Sequence, residues 1–494
     1  MKGLDPAPLE TAKVLEIGCS FGGNLLPFAI RHPNSQLVGI DLSEYQINIG
    51  QQMMEQVGVK NVELVAADIS NVGFNIQFDY IICHGVFSWV PEVVRQAILK
   101  TIQDYLSPNG IAYISYNTYP GWKIKDIAKE LMLFGSNPDL SRTERVDQSF
   151  ETLKFVSNIF QRKNAELYKV LSDSFKEVTE QSKYYVAHEH FEEFNHPFYF
   201  REFITQIQQY NLAYLTDSST PVIYRNIHFE NDEYDKVCEY FGYHLEAIEQ
   251  FIDFLNNKTF RGSIITHKQN LTDKGITNNI NEYNQCHHFY DLYFRTYVHY
   301  SPANKEKEAF WNLVELGVEL PDTPLNNVLF NYLQQQNKPC KIGDIFEHVK
   351  QYPEYNETEL QNLIWSIIHS ARVYLCFSPE KFDTYDKKPK LFEPYRKFID
   401  LVKHNPDITQ LSNRYYQIIN LDFLSQHIAQ YLDGTRSIKA LIKQIRQDID
   451  DEAIVIRDAQ ENKLSNKDVK EKEIKELIIE RLELFKEYGY FTEY

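Results

Sequence analysis

Short apolar runs alternate with amphipathic stretches along the first 120 residues of the chain. Runs rich in valine, isoleucine and leucine, which are typical of buried strands, lie at 14–17, 36–40, 62–65, 78–82 and 111–115. Between them, apolar residues recur with helical periodicity at 24–31, 45–57 and 92–106. Strands that alternate with helices of this length favour βαβ units. The fold class predicted for this region is α/β, with a parallel sheet that carries helices on both faces.

The pattern changes after Trp122. Residues 124–182 read as helices with no strand signal between them, including a periodic stretch at 155–171. A helix at 200–207 then leads into a sixth strand at 212–215, where the α/β pattern resumes. We therefore predict an α/β domain formed by residues 1–123 and 183–225, interrupted by a helical insertion at 124–182.

Weaker signals mark the rest of the chain. Residues 226–320 mix short strand and helix patterns and are predicted to form a middle α+β domain, and residues 321–494 to form winged-helix-like modules. The first module has helices at 326–336, 342–352 and 357–372, with a wing from 373–375 and 386–388. The second has helices at 423–431 and 438–447, and a third helix that meets Gly489 as its C-terminal cap.

Composition narrows the classes of function. The 494 residues include 69 Asp and Glu against 51 Lys and Arg, a formal charge of −18, which argues against a nucleic-acid partner. No run of 18 apolar residues is present, so membrane insertion is not expected. The six cysteines are widely spaced, which is typical of reduced thiols in a cytoplasmic protein. Adjacent residues such as Cys286, His287 and His288 point in different directions on a regular element, so no metal site is predicted.

A glycine-rich segment follows the first strand and opens the first helix, where open α/β sheets bind their ligands. It reads Glu-Ile-Gly-Cys-Ser-Phe-Gly-Gly-Asn at 16–24. Asp41 ends the second strand, where a carboxylate can accept both ribose hydroxyls, and Asp68-Ile69 end the third, where they can contact an adenine. Nicotinamide binding requires Gly-x-Gly-x-x-Gly, but Ser20 stands at the second glycine position. The simpler alternative is a glycine turn that only packs a helix on a strand.

The pattern Glu-x-Gly-x-x-x-Gly-Gly, with acidic residues that end strands two and three, resembles the S-adenosylmethionine site of Rossmann-like methyltransferases. The resemblance implies S-adenosyl-L-methionine as the cofactor, with Glu16 near its amino-acid half. The cofactor-binding residues predicted in this way are Glu16, Gly18, Cys19, Gly22, Gly23, Asn24, Asp41, Leu42, Asp68, Ile69 and His84.

Three longer motifs narrow the resemblance. They read Gly-Cys-x-x-Gly-Gly-Asn-Leu at 18–25, His-Gly-Val-Phe-Ser-Trp-Val-Pro at 84–91 and Ser-Tyr-Asn-Thr-Tyr-Pro-Gly-Trp at 115–122. These motifs are similar to those of bacterial methyltransferases with a methyltransferase regulatory domain, whose best-defined members are the rickettsial outer-membrane-protein lysine methyltransferases. Matches at 188–189, 195–200, 260–261 and 432–436 extend the resemblance over nearly the whole chain. It implies a homodimer with a helical dimerisation insertion, whose acceptors are lysine side chains of surface proteins.

Aromatic side chains cluster in the loops that follow strands four and five. A lysine amine has a pKa of about 10.4, so it must lose a proton before it can attack a methyl sulfonium. Aromatic walls suit this acceptor because they bind the cation and tolerate methylated products. The residues predicted to form the acceptor site are Trp89, Tyr116, Asn117, Tyr119 and Trp122, with Tyr116 and Asn117 orienting the amine. The alternative is that these rings pack the insertion against the sheet.

The loop after strand four and the start of the chain differ from those of other methyltransferases. The loop after strand four has His84-Gly-Val-Phe in place of the Asp/Asn-Pro-Pro-Tyr/Phe motif of many amino-methylating enzymes. This excludes a nucleic-acid-base or glutamine type of site and leaves the proton acceptor unassigned, with His84 either lining the cofactor or acting as the base. A degenerate scaffold without turnover and a small-molecule methyltransferase remain alternatives. The chain begins 13 residues before Val14, fewer than in the resembled proteins, so weakened cofactor affinity is expected.

Overall fold

The structure is a computed structural model of the 494-residue chain. It describes residues 4–491 except 182, 184–185, 188–190, 192–193, 219–232, 274–288, 297, 304–306, 314–317, 337–338, 371–373, 377–384, 406–407, 409–410, 415, 417 and 456–468.

The predicted α/β fold is confirmed by a mixed seven-stranded sheet. Its strands are β1 (Lys13–Ile17), β2 (Gln36–Asp41), β3 (Val62–Ala66), β4 (Phe78–Cys83), β5 (Leu106–Asn117), β6 (Leu212–Asp217) and β7 (Phe260–His267). Their order is β3-β2-β1-β4-β5-β7-β6. Strand β4 runs parallel to β1 and β5, and β2 parallel to β3, whereas β7 is antiparallel to both β5 and β6.

The sheet extends beyond the predicted boundary at 225. Strand β7 lies between β5 and β6, although the sequence pattern had placed residues 260–267 in a middle domain that began at 226. The pattern failed here because β7 is buried on both faces and places Arg261, a charged residue, in the core. Residue 226 itself lies outside the described residues.

Helices of residues 25–273 connect these strands and form the insertion. They are α1 (Leu25–Arg31), α2 (Glu44–Val57), α3 (Glu92–Tyr105), α4 (Gly121–Phe134), α5 (Arg142–Lys163), α6 (Ala165–Glu180), α7 (Phe200–Gln208), α8 (Glu233–Tyr240), α9 (Leu245–Leu255) and α10 (Lys268–Asp273). Helix α2 begins after Ser43, whose hydroxyl accepts the N–H of Gln46 at 3.3 Å, and ends at Gly58, whose φ is +90°.

Helices α4, α5 and α6 share a hydrophobic core that includes Met132, Leu153 and Phe175. The periodic stretch predicted at 155–171 is not one helix, because α5 and α6 meet at Asn164. The Asn164 side chain accepts the N–H of Leu167 at 3.1 Å and so caps the start of α6. These three helices occupy the predicted insertion, whose last residue, 182, lies outside the described residues.

The C-terminal region combines helices with small sheets. Its strands are β8 (Tyr293–Arg295), β9 (Val298–Ser301), β10 (Phe310–Leu313), β11 (Val318–Pro321), β12 (Cys340–Lys341), β13 (Tyr374–Cys376), β14 (Leu411–Ser412) and β15 (Ile418–Ile419). Its helices are α11 (Pro324–Gln336), α12 (Ile342–Val349), α13 (Glu357–Ser370), α14 (Glu393–His404), α15 (Phe423–Ala429), α16 (Ile438–Asp450) and α17 (Glu471–Glu487).

Two predictions for this region have different outcomes. The boundary at 321 stays a prediction; β8, which lies before it, pairs with β12 and β13 in one sheet. Strand β13 includes residues 374 and 375 of the predicted wing. Residue 373 lies outside the described residues, and residues 386–388 form no strand. The predicted cap of α17 is confirmed: Gly489 has a φ of +73°, and the N–H of Tyr490 bonds the carbonyl of Phe485 at 3.0 Å.

The chain divides into two compact units. The first comprises Met1–Pro8, Ala12–Gly18 and Ala67–Cys286, and the second comprises Leu9–Thr11, Cys19–Ala66 and His287–Tyr494.

A buried ion cluster in the first unit surrounds Arg261, whose exposed fraction is 0%. Its guanidinium donates to Asp253 at 2.8 Å, to Asp217 at 3.1 Å and to Glu249 at 2.8 Å. Burial raises the pKa of Glu249 and Asp253, against the opposing effect of Arg261. The Phe200 ring lies 4.1 Å from the guanidinium carbon. One arginine therefore ties strands β6 and β7 to helices α7 and α9.

Replacing Arg261 tests this cluster. We expect Arg261→Met to destabilise the first unit by about 3–5 kcal/mol, because three buried carboxylates lose their shared cation. The measurement is the midpoint of chemical unfolding. The matched control is Arg436→Met, which removes a partly exposed ion pair with Asp433 and should cost less than about 1 kcal/mol. Equal midpoints for the two variants would show that the cluster does not stabilise the sheet.

Candidate active site

The glycine-rich loop is organised by Asp41, in the second unit. One carboxylate oxygen of Asp41 accepts the N–H of Ser20 at 2.8 Å, and the other accepts the N–H of Ser43 at 2.9 Å. Ser20 has a φ of +50°, a conformation that is costly for a residue with a side chain and that this bond helps to hold. Each carboxylate oxygen keeps a second lone pair, so Asp41 can fix the loop and still accept hydroxyl groups.

The glycines of this loop have different roles. A Cβ on Gly22 would lie 2.8 Å from Cε of Met54, and its φ of +77° also disfavours a side chain. A Cβ on Gly23 would meet no atom within 4 Å, so the backbone there faces open space. Beside it Asn24 is exposed, Cys19 is buried, and 77% of Leu42 is exposed at the end of β2. The loop thus presents open backbone, a carboxylate and an apolar side chain, a combination that fits a nucleoside.

The remaining predicted cofactor residues lie in the first unit. Gly18 has a φ of +73°, and a Cβ there would clash with the side chain of Val86. Glu16 is buried, with 2% exposed, and adds to the effect of burial in raising the pKa of Cys83 to about 12. At the end of β3, Asp68 is exposed and accepts the N–H of Ser70 at 2.8 Å. Ile69 is buried beside it.

His84 follows β4 directly. Its Nδ1 lies 3.2 Å from the Tyr113 hydroxyl, and the two rings stack at 5.8 Å between centroids. Partial burial by such neighbours lowers the pKa of His84, which keeps the imidazole neutral at pH 7. The next residue, Gly85, has a φ of +69° and faces open space, since a Cβ there would meet no atom within 4 Å.

The loops after β4 and β5 are joined by hydrogen bonds to the segment 195–199. The Ser88 hydroxyl accepts the N–H of Asn117 at 2.9 Å, and the Ser88 carbonyl accepts the N–H of His196 at 2.8 Å. The N–H of Phe198 donates to the carbonyl of Asn117 at 2.9 Å, and its carbonyl accepts the N–H of Tyr119, also at 2.9 Å. Two motifs about 80 residues apart therefore form one surface.

Three of the predicted acceptor residues are packed away from solvent. Tyr116 is 1% exposed; its hydroxyl lies 3.0 Å from Oγ of Ser263, and burial raises its pKa. Asn117 is also buried and donates to the Asn195 side chain at 2.9 Å. Trp122 is 1% exposed, and its ring meets the partly exposed Trp89 edge-on at 6.1 Å. This arrangement does not support an amine-orienting role for Tyr116, because the Phe203 ring of α7 stacks on its ring at 4.2 Å between centroids.

Tyr119 is the partly exposed centre of this surface. Its hydroxyl donates to the Asp126 carboxylate at 3.4 Å, and its ring lies 5.3 Å from that of Tyr199. Burial and the Asp126 charge raise the pKa of Tyr119 to about 12, and burial also raises the pKa of Asp126. Sequence reasoning missed Asp126, Asn195 and Tyr199 as site residues. The Asn-x-Pro-x-Tyr motif at 195–199 was a signal for the last two; for Asp126 the sequence held none.

In the part of the chain that the structure describes, no group of three or more His, Cys, Asp and Glu side chains is placed to hold a metal ion. Residues Cys286, His287 and His288 lie outside it. No helix in the same part is long and apolar enough to cross a membrane.

Removing one acceptor from Asp41 tests the loop. We expect Asp41→Asn to weaken S-adenosylhomocysteine binding about tenfold or more, because an amide nitrogen would face a backbone N–H and leave it unbonded. Isothermal titration measures the change. The control is Glu44→Gln, which removes the same charge from an exposed residue in the first turn of α2 and should leave affinity within about threefold. Equal affinities for the two variants would contradict the role of Asp41.

Three family models match the chain. They describe a methyltransferase domain at residues 14–110, a predicted methyltransferase regulatory domain at 182–267, and the PKMT C-terminal winged helix domain at 400–490. The winged-helix match agrees with the fold class predicted for the end of the chain.

Relatives and solved structures agree with these models. An uncharacterised protein of Rickettsia prowazekii is 29% identical over 500 residues, which cover 98% of this chain and 87% of that protein. A second uncharacterised protein of the same organism is 41% identical over 208 residues, 42% of this chain and 83% of its own length.

The structure is also similar to PKMT2 from Rickettsia typhi, with a TM-score of 0.83, 27% identity and coverage of 99% of this chain and 96% of that one. PKMT2 has been solved in complex with AdoHcy as well. The glycine loop, Asp41 and the open backbone at Gly23 fit the nucleoside of such a cofactor. The chain therefore belongs to the PKMT family of methyltransferases, and it is an S-adenosylmethionine-dependent enzyme.

Proposed function

We propose that the enzyme is a protein-lysine N-methyltransferase that acts on lysine side chains of a bacterial outer-membrane or other surface protein. Membership of the PKMT family supports a protein acceptor. The formal charge of −18 favours a lysine-bearing partner over nucleic acid. The outer-membrane acceptor rests on the resemblance to the rickettsial enzymes alone.

The observation that carries the proposal is the position of Lys123 in the first turn of α4, directly after the loop that follows β5. Its ammonium nitrogen lies 3.8 Å from the centroid of the Tyr119 ring. A ring face that holds a lysine ammonium within the chain has the chemistry needed to bind an incoming one. Tyr199 and Phe254, whose rings stack at 5.7 Å, extend this aromatic surface beside Tyr119.

The acceptor amine must be neutral when it reacts. Near pH 7 roughly one lysine in a thousand is unprotonated, so the surface has to lower the pKa of the amine or accept its proton. Aromatic neighbours desolvate the ammonium, which lowers its pKa. A carboxylate with a raised pKa is a stronger proton acceptor, and Asp126 is such a group beside Tyr119. We assign Asp126 as the base.

S-adenosylmethionine supplies an electrophilic methyl sulfonium, and the enzyme mainly holds the acceptor nitrogen in line with it. We propose that Asp41 accepts the ribose hydroxyls, that Leu42 and Ile69 contact the adenine, and that Glu16 attracts the amino-acid end. A neutral His84 does not repel the sulfonium. The remaining residues of the proposed cofactor set are Gly18, Cys19, Gly22, Gly23, Asn24 and Asp68.

We also propose a cytoplasmic homodimer. Buried thiols such as Cys83 fit a reducing compartment. Large apolar side chains on the insertion helices are exposed, including Phe134 at 90%, Phe155 at 66% and Val170 at 56%. Large exposed apolar side chains are common on association surfaces, which suits the dimerisation role implied for the insertion.

Methyl transfer tests the acceptor directly. The full chain is incubated with methyl-labelled S-adenosylmethionine and outer-membrane proteins, and the products are digested for mass spectrometry. We expect added methyl groups on lysine, and fewer of them with Asp41→Asn when the cofactor concentration is limiting. Label only in small molecules of a lysate would favour a small-molecule methyltransferase. Intact cofactor binding with no transfer would favour a scaffold without turnover.

Tyr119 tests the aromatic surface. We expect Tyr119→Ala to raise the KM for the protein acceptor about tenfold, because the ammonium loses its ring face, while S-adenosylhomocysteine affinity changes less than about twofold. Tyr119→Phe keeps the face and should retain most of the affinity for the acceptor. Tyr240→Ala removes an 84% exposed ring on α8 and serves as the control. An unchanged KM in Tyr119→Ala would exclude this surface as the lysine site.

A further inference from the structure

A hairpin of the C-terminal winged helix domain carries Tyr416 at its turn, between β14 and β15. Tyr416 has a φ of +61°, which a residue with a side chain adopts only where its surroundings hold it. Its N–H donates to the carbonyl of Asn413 at 3.1 Å, which closes the turn. The nearby Arg414 donates its backbone N–H to the carbonyl of Tyr488 at 3.3 Å, which connects the hairpin to the C-terminal end of α17.

The Tyr416 side chain contacts the C-terminal end of α1, in the same compact unit. Its hydroxyl lies 3.3 Å from Nε2 of His32. Its ring lies 6.2 Å from the Phe28 ring, and the Arg31 guanidinium lies 5.5 Å from its centroid. Burial lowers the pKa of His32 to about 4, so the imidazole is neutral and can accept the phenol hydrogen.

The C-terminal region also contacts helix α2. Helix α14 of the C-terminal region packs against α2. The C-terminal region therefore contacts both α1, which begins at the glycine loop, and α2, which begins after Asp41. Helix α1 starts at Leu25 directly after Gly22-Gly23-Asn24, and α2 starts at Glu44 after Ser43, whose N–H bonds Asp41.

From this geometry we propose that Tyr416 is a positioning residue for the cofactor. It holds the far end of a helix only seven residues long, so a shift there is passed to the glycine loop at the other end. Any event that displaces the hairpin, such as acceptor binding to the C-terminal domain, then changes the affinity for the cofactor. Conversely, cofactor binding changes the equilibrium constant for docking of the hairpin on α1 by the same factor. The inference concerns cofactor binding and does not depend on which acceptor is used.

Variants of the full chain test this coupling by isothermal titration with S-adenosylhomocysteine and by steady-state kinetics. We expect Tyr416→Ala to raise the Kd about fivefold and the KM for S-adenosylmethionine in parallel, with kcat changed less than about twofold. Tyr416→Phe keeps the ring contacts and should stay within about twofold of the parent. The control is Ile418→Ala, which removes a side chain that is 62% exposed on the same hairpin and should change nothing.

An unchanged Kd in a folded Tyr416→Ala protein would overturn the proposal, as would a fall in kcat with no change in Kd. Circular dichroism establishes whether the variant is folded. If it is not, Arg31→Gln tests the same contact from the α1 side by removing the guanidinium above the ring. That variant should weaken S-adenosylhomocysteine binding about twofold to threefold, and parent-like affinity there would also overturn the proposal.

Discussion

The buried ion cluster around Arg261 holds the part of the sheet on which the proposed acceptor surface is built. It fixes β7 between β5 and β6, and β7 pairs with the last residues of β5, Tyr116 opposite Arg261 and Asn117 opposite Phe260. The chain just before β7 then accepts the N–H of Thr118 and of Gly121 through the carbonyls of Thr259 and Lys258. The loop that carries Tyr119 therefore takes its position from a strand about 140 residues later.

The cofactor half of the site depends on a different carboxylate. Asp41 binds two backbone N–H groups from two loops, so the residue proposed to recognise the ribose also shapes the glycine loop. This dual use explains why an acidic residue ends β2. On the acceptor side, Ser88, Asn117 and Phe198 share the hydrogen bonds that join the loops. The Phe87 and Phe198 rings, 5.5 Å apart, pack between these loops.

The sequence could predict the parts of the site that are local in the chain. The strand ends, the glycine loop, Asp41 and the first five strands follow from periodicity and turn chemistry, and the structure contains them all. It could not predict β7, because a strand buried on both faces with an arginine as its second residue resembles neither an alternating strand nor an apolar one. Tyr116 was predicted to border the acceptor because its motif is local in the chain. Only the packing of α7, whose Phe203 ring stacks on that of Tyr116 at 4.2 Å, shows that the ring is buried.

The central claim is that the methyl group is transferred to a lysine amine. Carbon-13 NMR of an acceptor protein after reaction with ¹³C-methyl S-adenosylmethionine tests it most directly, because an N-methyl signal shifts when its nitrogen loses a proton. The account predicts N-methyl signals: those of mono- and dimethyl-lysine titrate with a pKa near that of lysine, about 10.4, and those of trimethyl-lysine, which has no proton to lose, stay fixed and persist at about pH 12. Methyl signals that are converted to methanol in base, as for a methyl ester, or that digestion of the acceptor maps to residues other than lysine, would contradict it.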